Sequence, residues 1–182
     1  MSKKSEIEGL LIETNREGIK NLLAYMDKNG FYVAPCSTQY HLCKEGGLAE
    51  HSLNVYNSMV RFYNSQSEFT TDDNSIKIVA LLHDLGKMGH HGKFNYVPNI
   101  LKSGKISDSK PYETNKNILA VPHEVESIVI AERFINLTEE EEYAILYHNG
   151  LYGDFKYEIN GKERPLQMLL HFADLWCSRM EG

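Results

Sequence analysis

A chain of 182 residues with 42% hydrophobic content is long and apolar enough for one domain with a proper core. Its formal charge of −6 and pI near 5.7 argue against a duplex-DNA binder, which would carry a basic face. They leave open a nucleotide, or a short single strand held in a locally basic cleft. Cys36, Cys43 and Cys177 form an odd set with no CxxC pair, which fits a reducing, cytoplasmic setting. Cys36 and Cys43 with His41 match no common zinc spacing, so these cysteines read as buried or idle thiols and His41 as structural. The lysines after Met1 are followed by no apolar stretch, and no run approaches the roughly 20 apolar residues of a membrane span. A soluble protein with no membrane partner is the expectation.

The first segment, about 5–28, has Ile7, Leu10, Leu11, Ile19, Leu22, Leu23 and Met26 at helical spacing and a stop at Asn29-Gly30. After an irregular stretch, Gly46-Gly47 breaks the chain before a helix over about 48–63. Leu48, Val55, Met59 and Phe62 form its apolar stripe, with His51 on or beside the buried face. Asp72 to Ser75 is an N-cap cluster for the next helix, Ile76 to Leu82. That apolar run ends in His83-Asp84, followed by Leu85-Gly86-Lys87. An imidazole and a carboxylate side by side at a buried helix end are costly unless charge compensates them. A metal ion or an ordinary salt bridge would do so.

Between about 89 and 120 the pattern changes to Gly, Asn, Ser, Lys and Pro. Phe94 to Val97 and Lys110 to Glu113 are candidate strands, and Ser103-Gly104-Lys105 a turn, of an insertion hanging over the site. Its Phe94, Tyr96 and Tyr112 either stack on a base or pack in the core or the hairpin. Pro122 opens another helix, with His123 in its first turn. Thr138 to Glu141 is a capping box for a helix ending near His148. Asn160-Gly161 reads as a two-residue hairpin turn. Pro165 opens the last helix, which carries Asp174 among Ala173, Leu175 and Trp176. The class is all-α, a helical bundle with small β-hairpin insertions.

Taken singly, each of these polar residues is an ordinary core or capping group. Taken together, His51, His83, Asp84, His123, His148 and Asp174 make six potential ligands on five helices. Helical bundles build metal centres from inward-facing side chains of these types. Four histidines and two aspartates suit two divalent transition metals sharing one carboxylate. Mn, Fe, Co, Ni or Zn fits better than Mg, which prefers all-oxygen sites.

His51, then His83-Asp84, then Asp174 resembles the H…HD…D signature of the HD-domain superfamily of metal-dependent phosphohydrolases. The contexts Gly46 to Ser52, Leu81 to Lys87 and His171 to Asp174 match as well. His123 and His148 resemble the additional histidines of the two-metal subset. Within the superfamily, residues 46–180 are similar to small bacterial and phage hydrolases and to the HD domain of a bacterial 3′-to-5′ exoribonuclease. The resemblance implies that His51, His83, Asp84 and Asp174 hold one ion. Asp84 then bridges to a second, completed by His123 and His148. It implies that Lys87 contacts a phosphate oxygen of the substrate. Two metals can bridge one water and lower its pKa, so that a bridging hydroxide attacks the phosphate in line. Arg179, a little more than a turn after Asp174, faces substrate or pairs with an acid. His171 supports the site or packs, and His90 and His91 are loop residues near the pocket mouth.

The expected function is hydrolysis of a phosphate ester of a nucleotide, either a dNTP or NMP, or of a short oligonucleotide. A 3′–5′ exonuclease or phosphodiesterase is one variant. A di-iron oxygenase with a similar ligand set is a second reading, and a non-enzymatic nucleotide-binding module a third.

Overall fold

The computed structural model describes residues 2–65 and 71–180. The first amphipathic segment forms two helices instead of the single expected one, α1 (Lys3–Glu13) and α2 (Ile19–Lys28). Gly18 explains the break. It has φ +83°, and a Cβ there would stand 1.8 Å from the carbonyl oxygen of Phe134. Only glycine admits that approach, so the chain turns where periodicity alone would have carried it on.

Helix α3 (Gly47–Ser65) and helix α4 (Asp73–Leu82) follow, and then a single 3₁₀ turn, Leu85–Met88. The insertion holds four short strands, β1 (Gly89–His90), β2 (Lys93–Phe94), β3 (Tyr96–Pro98) and β4 (Tyr112–Thr114). They pair antiparallel as β1–β2 and β3–β4, with Gly89 opposite Phe94 and Tyr96 opposite Thr114. The turn at Gly104 forms as expected, with Gly104 N–H donating to Leu101 O.

Four helices complete the fold, α5 (His123–Glu132), α6 (Glu139–Leu146), the single-turn α7 (Lys156–Ile159) and α8 (Pro165–Met180). Both halves of the capping box at Thr138 are present. Asn160-Gly161 is not a hairpin turn. It ends α7, with Gly161 at φ +76° and Lys162 N–H bonded to Ile159 O. The left-handed glycine that serves a hairpin serves a helix C-terminus equally well, and burial of Ile159 selects the helical turn.

The core has two parts that share α3 and α4. One joins α1, α2 and α5 through Ile7, Leu22, Leu48, Ile78, Leu81 and Ile130. The other joins α6 and α8 through Val55, Met59, Val79, Ile145, Leu169 and Ala173. Every residue from Ile78 to Leu82 is therefore buried. A helix apolar on all faces is the mark of a central helix, and the end of α4 delivers His83 and Asp84 into the middle of the molecule. The fold is all-α with small β-hairpin insertions. Among the described residues no helix is long and apolar enough to cross a membrane.

Candidate metal centre

The six candidate ligands converge. His51 comes from α3 and Asp174 from α8, and their side chains meet at 3.0 Å between Nε2 and Oδ1. Asp84 lies between the two halves of the cluster. Its Oδ2 is 3.6 Å from His51 Nε2 and 3.4 Å from His83 Nε2. Its Oδ1 is 3.2 Å from His123 Nε2 and 3.7 Å from His148 Nε2. His83 and Asp84 follow the last residue of α4, and His148 follows α6, so three of the six stand just past helix ends.

The chain orients these rings locally. His83 Nδ1 is 2.9 Å from Ala80 O, and His148 Nδ1 is 2.7 Å from Ile145 O. Each ring thus donates to the carbonyl three residues back, and its Nε2 lone pair points inward. His123 is held differently. Its Nδ1 lies 3.3 Å from Glu124 Oε2, and Glu124 Oε1 accepts from Asn149 Nδ2 at 2.6 Å. Glu124 and Asn149 escaped the sequence reading. A carboxylate directly after a candidate ligand was the available signal for Glu124; Asn149 had none.

Gly86 sets the distance between the turn after Asp84 and α5. A Cβ there would lie 2.5 Å from His123 O and 3.0 Å from Glu126 Cβ. Gly86 N–H donates to Ser127 Oγ, which donates to His123 O. Gly86→Ala should push α5 outward, costing about 1–3 kcal/mol by overpacking. It should also weaken Mn²⁺ binding about 10–100-fold, as loss of an orienting contact does. Thermal melting and calorimetric Mn²⁺ titration measure the two effects.

Burial and charge act on the cluster together. Burial alone would raise the pKa of Asp84, but Lys87, His83 and the contact with His123 outweigh it and hold the carboxyl well below its usual range. Asp174 is depressed in the same way, with burial overcome by His51 and His83. Burial pushes His148 down to about 3, helped by the neighbouring His83, so its ring is neutral. His83 is raised because Asp84 outweighs its desolvation.

Five buried atoms of the cluster, His51 Nδ1 and Nε2, His83 Nε2, Asp84 Oδ1 and His123 Nε2, have no hydrogen bond of good geometry. Such orphans are rare in folded proteins. Two ligand atoms each about 2.1 Å from a shared ion lie about 3.0–3.4 Å apart, close to the spacings seen here. The groupings His51–His83–Asp174 and His83–Asp84–His148 are each tight enough to hold an ion. The residues fit divalent metal binding.

Lys87 lies on the 3₁₀ turn with Nζ 2.6 Å from Asp84 Oδ2. Arg179 is exposed on the last turn of α8 and lines a cavity of about 670 Å³ that has Asp174 in its wall. His171 lines the same cavity, with Nδ1 2.7 Å from His148 O.

Several expectations change. His41, read as structural, stands beside the site. It lines the cavity, its ring centroid is 5.1 Å from that of His51, and its Nε2 is 3.3 Å from Cys36 Sγ. Burial, with His51 and Lys87 adding to it, lowers His41 to about 4. Cys36, His41 and His51 are grouped closely enough to hold an ion, whereas Cys43 is not in that group. His90 is not a loop residue at the mouth. It is buried in β1, which packs on the 3₁₀ turn Leu85–Met88, and its Nδ1 lies 3.7 Å from Glu126 Oε1. Phe94, Tyr96 and Tyr112 do not line the cavity; Phe94 instead packs over Gly30.

Comparison with curated proteins and with solved structures gives no significant match. The HD domain family model matches residues 48–175. That stretch contains all six converging residues, and the members of this family are in general metal-dependent hydrolases. The chain that brings His51, His83-Asp84 and Asp174 together belongs to the HD domain family.

Proposed function

We propose that the chain is a phosphohydrolase acting on a phosphate ester of a nucleotide or a short oligonucleotide. In this reading His51, His83, Asp84, His123, His148 and Asp174 hold two divalent transition-metal ions. The observation that carries it is the set of buried, inward-facing ligand atoms left without good hydrogen bonds on both sides of Asp84. Divalent ions at these residues would supply an activated water and neutralise phosphoryl charge.

The chain's own groups have distinct tasks. Asp84 turns one oxygen toward His51 and His83 and the other toward His123 and His148, which suits it to be the shared carboxylate. His83 and His148 keep their Nε2 lone pairs inward by donating from Nδ1 to the backbone. Lys87, held on Asp84, adds positive charge for a non-bridging phosphate oxygen. Arg179, in the cavity wall, is a second cation for an anionic substrate. A small substrate accords with the net charge of −6 better than duplex DNA does.

The test is a screen of dNTPs, NMPs, cyclic and linear dinucleotides and short oligonucleotides with Mn²⁺, Co²⁺, Ni²⁺ or Mg²⁺. Phosphate-ester cleavage that EDTA stops and added metal restores is the expected result. Oxygen consumption by the iron-loaded protein, with no phosphate ester cleaved, would replace this reading with that of an oxygenase.

A further inference from the structure

Two of the most exposed aromatic side chains among the described residues lie on the cavity that carries Asp174. Tyr40 is 74% exposed and Tyr152 is 76% exposed. Large apolar rings left in water forgo the free energy of burial, and a pair of them on one cavity at a candidate active site has a use for that surface. Neither ring hangs on a loose segment. Tyr40 sits in a turn closed by Ser37, whose hydroxyl accepts from Tyr40 N–H and donates to His41 O. Tyr152 is stacked on His171, with ring centroids 6.2 Å apart and planes 30° apart. His171 is in turn fixed to His148 O, the carbonyl of a candidate metal ligand. The aromatic platform and the metal centre are thus linked through one residue.

We infer that Tyr40 and Tyr152 form a stacking rim for the nucleobase of the substrate and set the preference for base-bearing over base-free phosphate esters. The inference rests on the phosphohydrolase reading for which bond is cut, but the rim itself is a binding property. The base rests against Tyr152, with His171 behind it, while Tyr40 supplies a second aromatic face of the cavity. Arg179 on the same cavity receives the phosphate side. Stacking uses the π-face that every base has, so the rim selects for the presence of a base and little for its identity.

The probe is 2-aminopurine deoxyriboside 5′-monophosphate, whose fluorescence is quenched on stacking, titrated into the Mn²⁺-loaded full chain. Ribose 5-phosphate serves as the base-free competitor. Wild type should quench the probe and prefer it to ribose 5-phosphate by at least about tenfold, within the range that one stacked base supplies. Tyr152→Leu should cut that preference about 5- to 150-fold and relieve the quenching, and Tyr40→Leu should act in the same direction. Tyr152→Phe should keep both. Circular dichroism and Mn²⁺ content would verify that each variant is folded and loaded. An unquenched probe, or a preference unmoved by either leucine variant, overturns the rim even if phosphate esters are cleaved. Quenching that depends on Tyr152 in a protein that cleaves none upholds the rim and removes the hydrolase reading instead.

Discussion

Asp84→Ala should eliminate metal-dependent turnover and reduce bound divalent metal to one ion or fewer per chain. The carboxylate lies within 4 Å of four histidines and one lysine, and no neighbour can replace both of its oxygens. The loss should exceed the roughly 10²–10³-fold in kcat that removal of a single electrostatic contact costs. The variant also leaves Lys87 as a largely buried cation without its partner, which should destabilise the metal-free protein by about 3–5 kcal/mol. Lost folding and lost chemistry must therefore be separated. Asp84→Ala combined with Lys87→Met removes both charges, so it should recover much of the stability and none of the turnover. Kinetics, metal analysis and urea denaturation on both variants provide the three readouts. Wild-type metal content and turnover in Asp84→Ala would refute the shared-carboxylate assignment.

An equally large effect on stability is expected away from the cavity, at Glu141. This residue is fully buried, and its carboxylate joins three parts of the fold. It accepts from Thr138 N–H at 2.8 Å, from Ser75 Oγ on α4 at 2.7 Å, and from Arg16 between α1 and α2 at 2.5 Å. Glu141→Ala removes half of the capping box, strands the buried Ser75 hydroxyl and takes the carboxylate from the mostly buried Arg16 guanidinium, which keeps its bond to Asn136 O. Breaking a buried charge pair from one side costs about 3–5 kcal/mol. For a domain of this size that corresponds to about 6–20 °C in Tm. Glu141→Gln retains shape and some hydrogen bonding and should lose less. Thermal melts of the two variants test the order; a melting point for Glu141→Ala within about 2 °C of wild type would show the network to be dispensable.

Glu141 also shows how far local reading reaches. As the fourth residue of Thr138-Glu139-Glu140-Glu141 it was legible as a capping-box member, because both partners lie within one helical turn. Its bonds to Arg16 and Ser75 span 125 and 66 residues and left no local mark. Gly18 is a parallel case. Its close approach to Phe134 O interrupts a run of helical periodicity that continues on both sides. Asn160-Gly161 was recognised as a reversal, but the same left-handed glycine serves a hairpin or a helix end, and only the burial of Ile159 chose between them.

The candidate site divides along the same line. The sequence by itself determined which residues were worth following. His83-Asp84 at the end of an apolar run, His51 beside an apolar stripe and Asp174 within an apolar helix are polar groups that a core holds only with compensation. His123 and His148 gained weight only in that company. The tertiary structure decided that all four histidines surround Asp84, that Asp174 meets His51, and that Lys87 bonds the carboxylate it follows. It also decided which other residues share the cavity. His41, read as structural, lies beside His51, and Tyr40 and Tyr152 line the cavity. The physical reason is one of range. Periodicity and capping record interactions within about one helical turn, whereas the meeting of α3, α5, α6 and α8 at the end of α4 is set by the packing of that buried helix, which leaves no spacing in the chain to read.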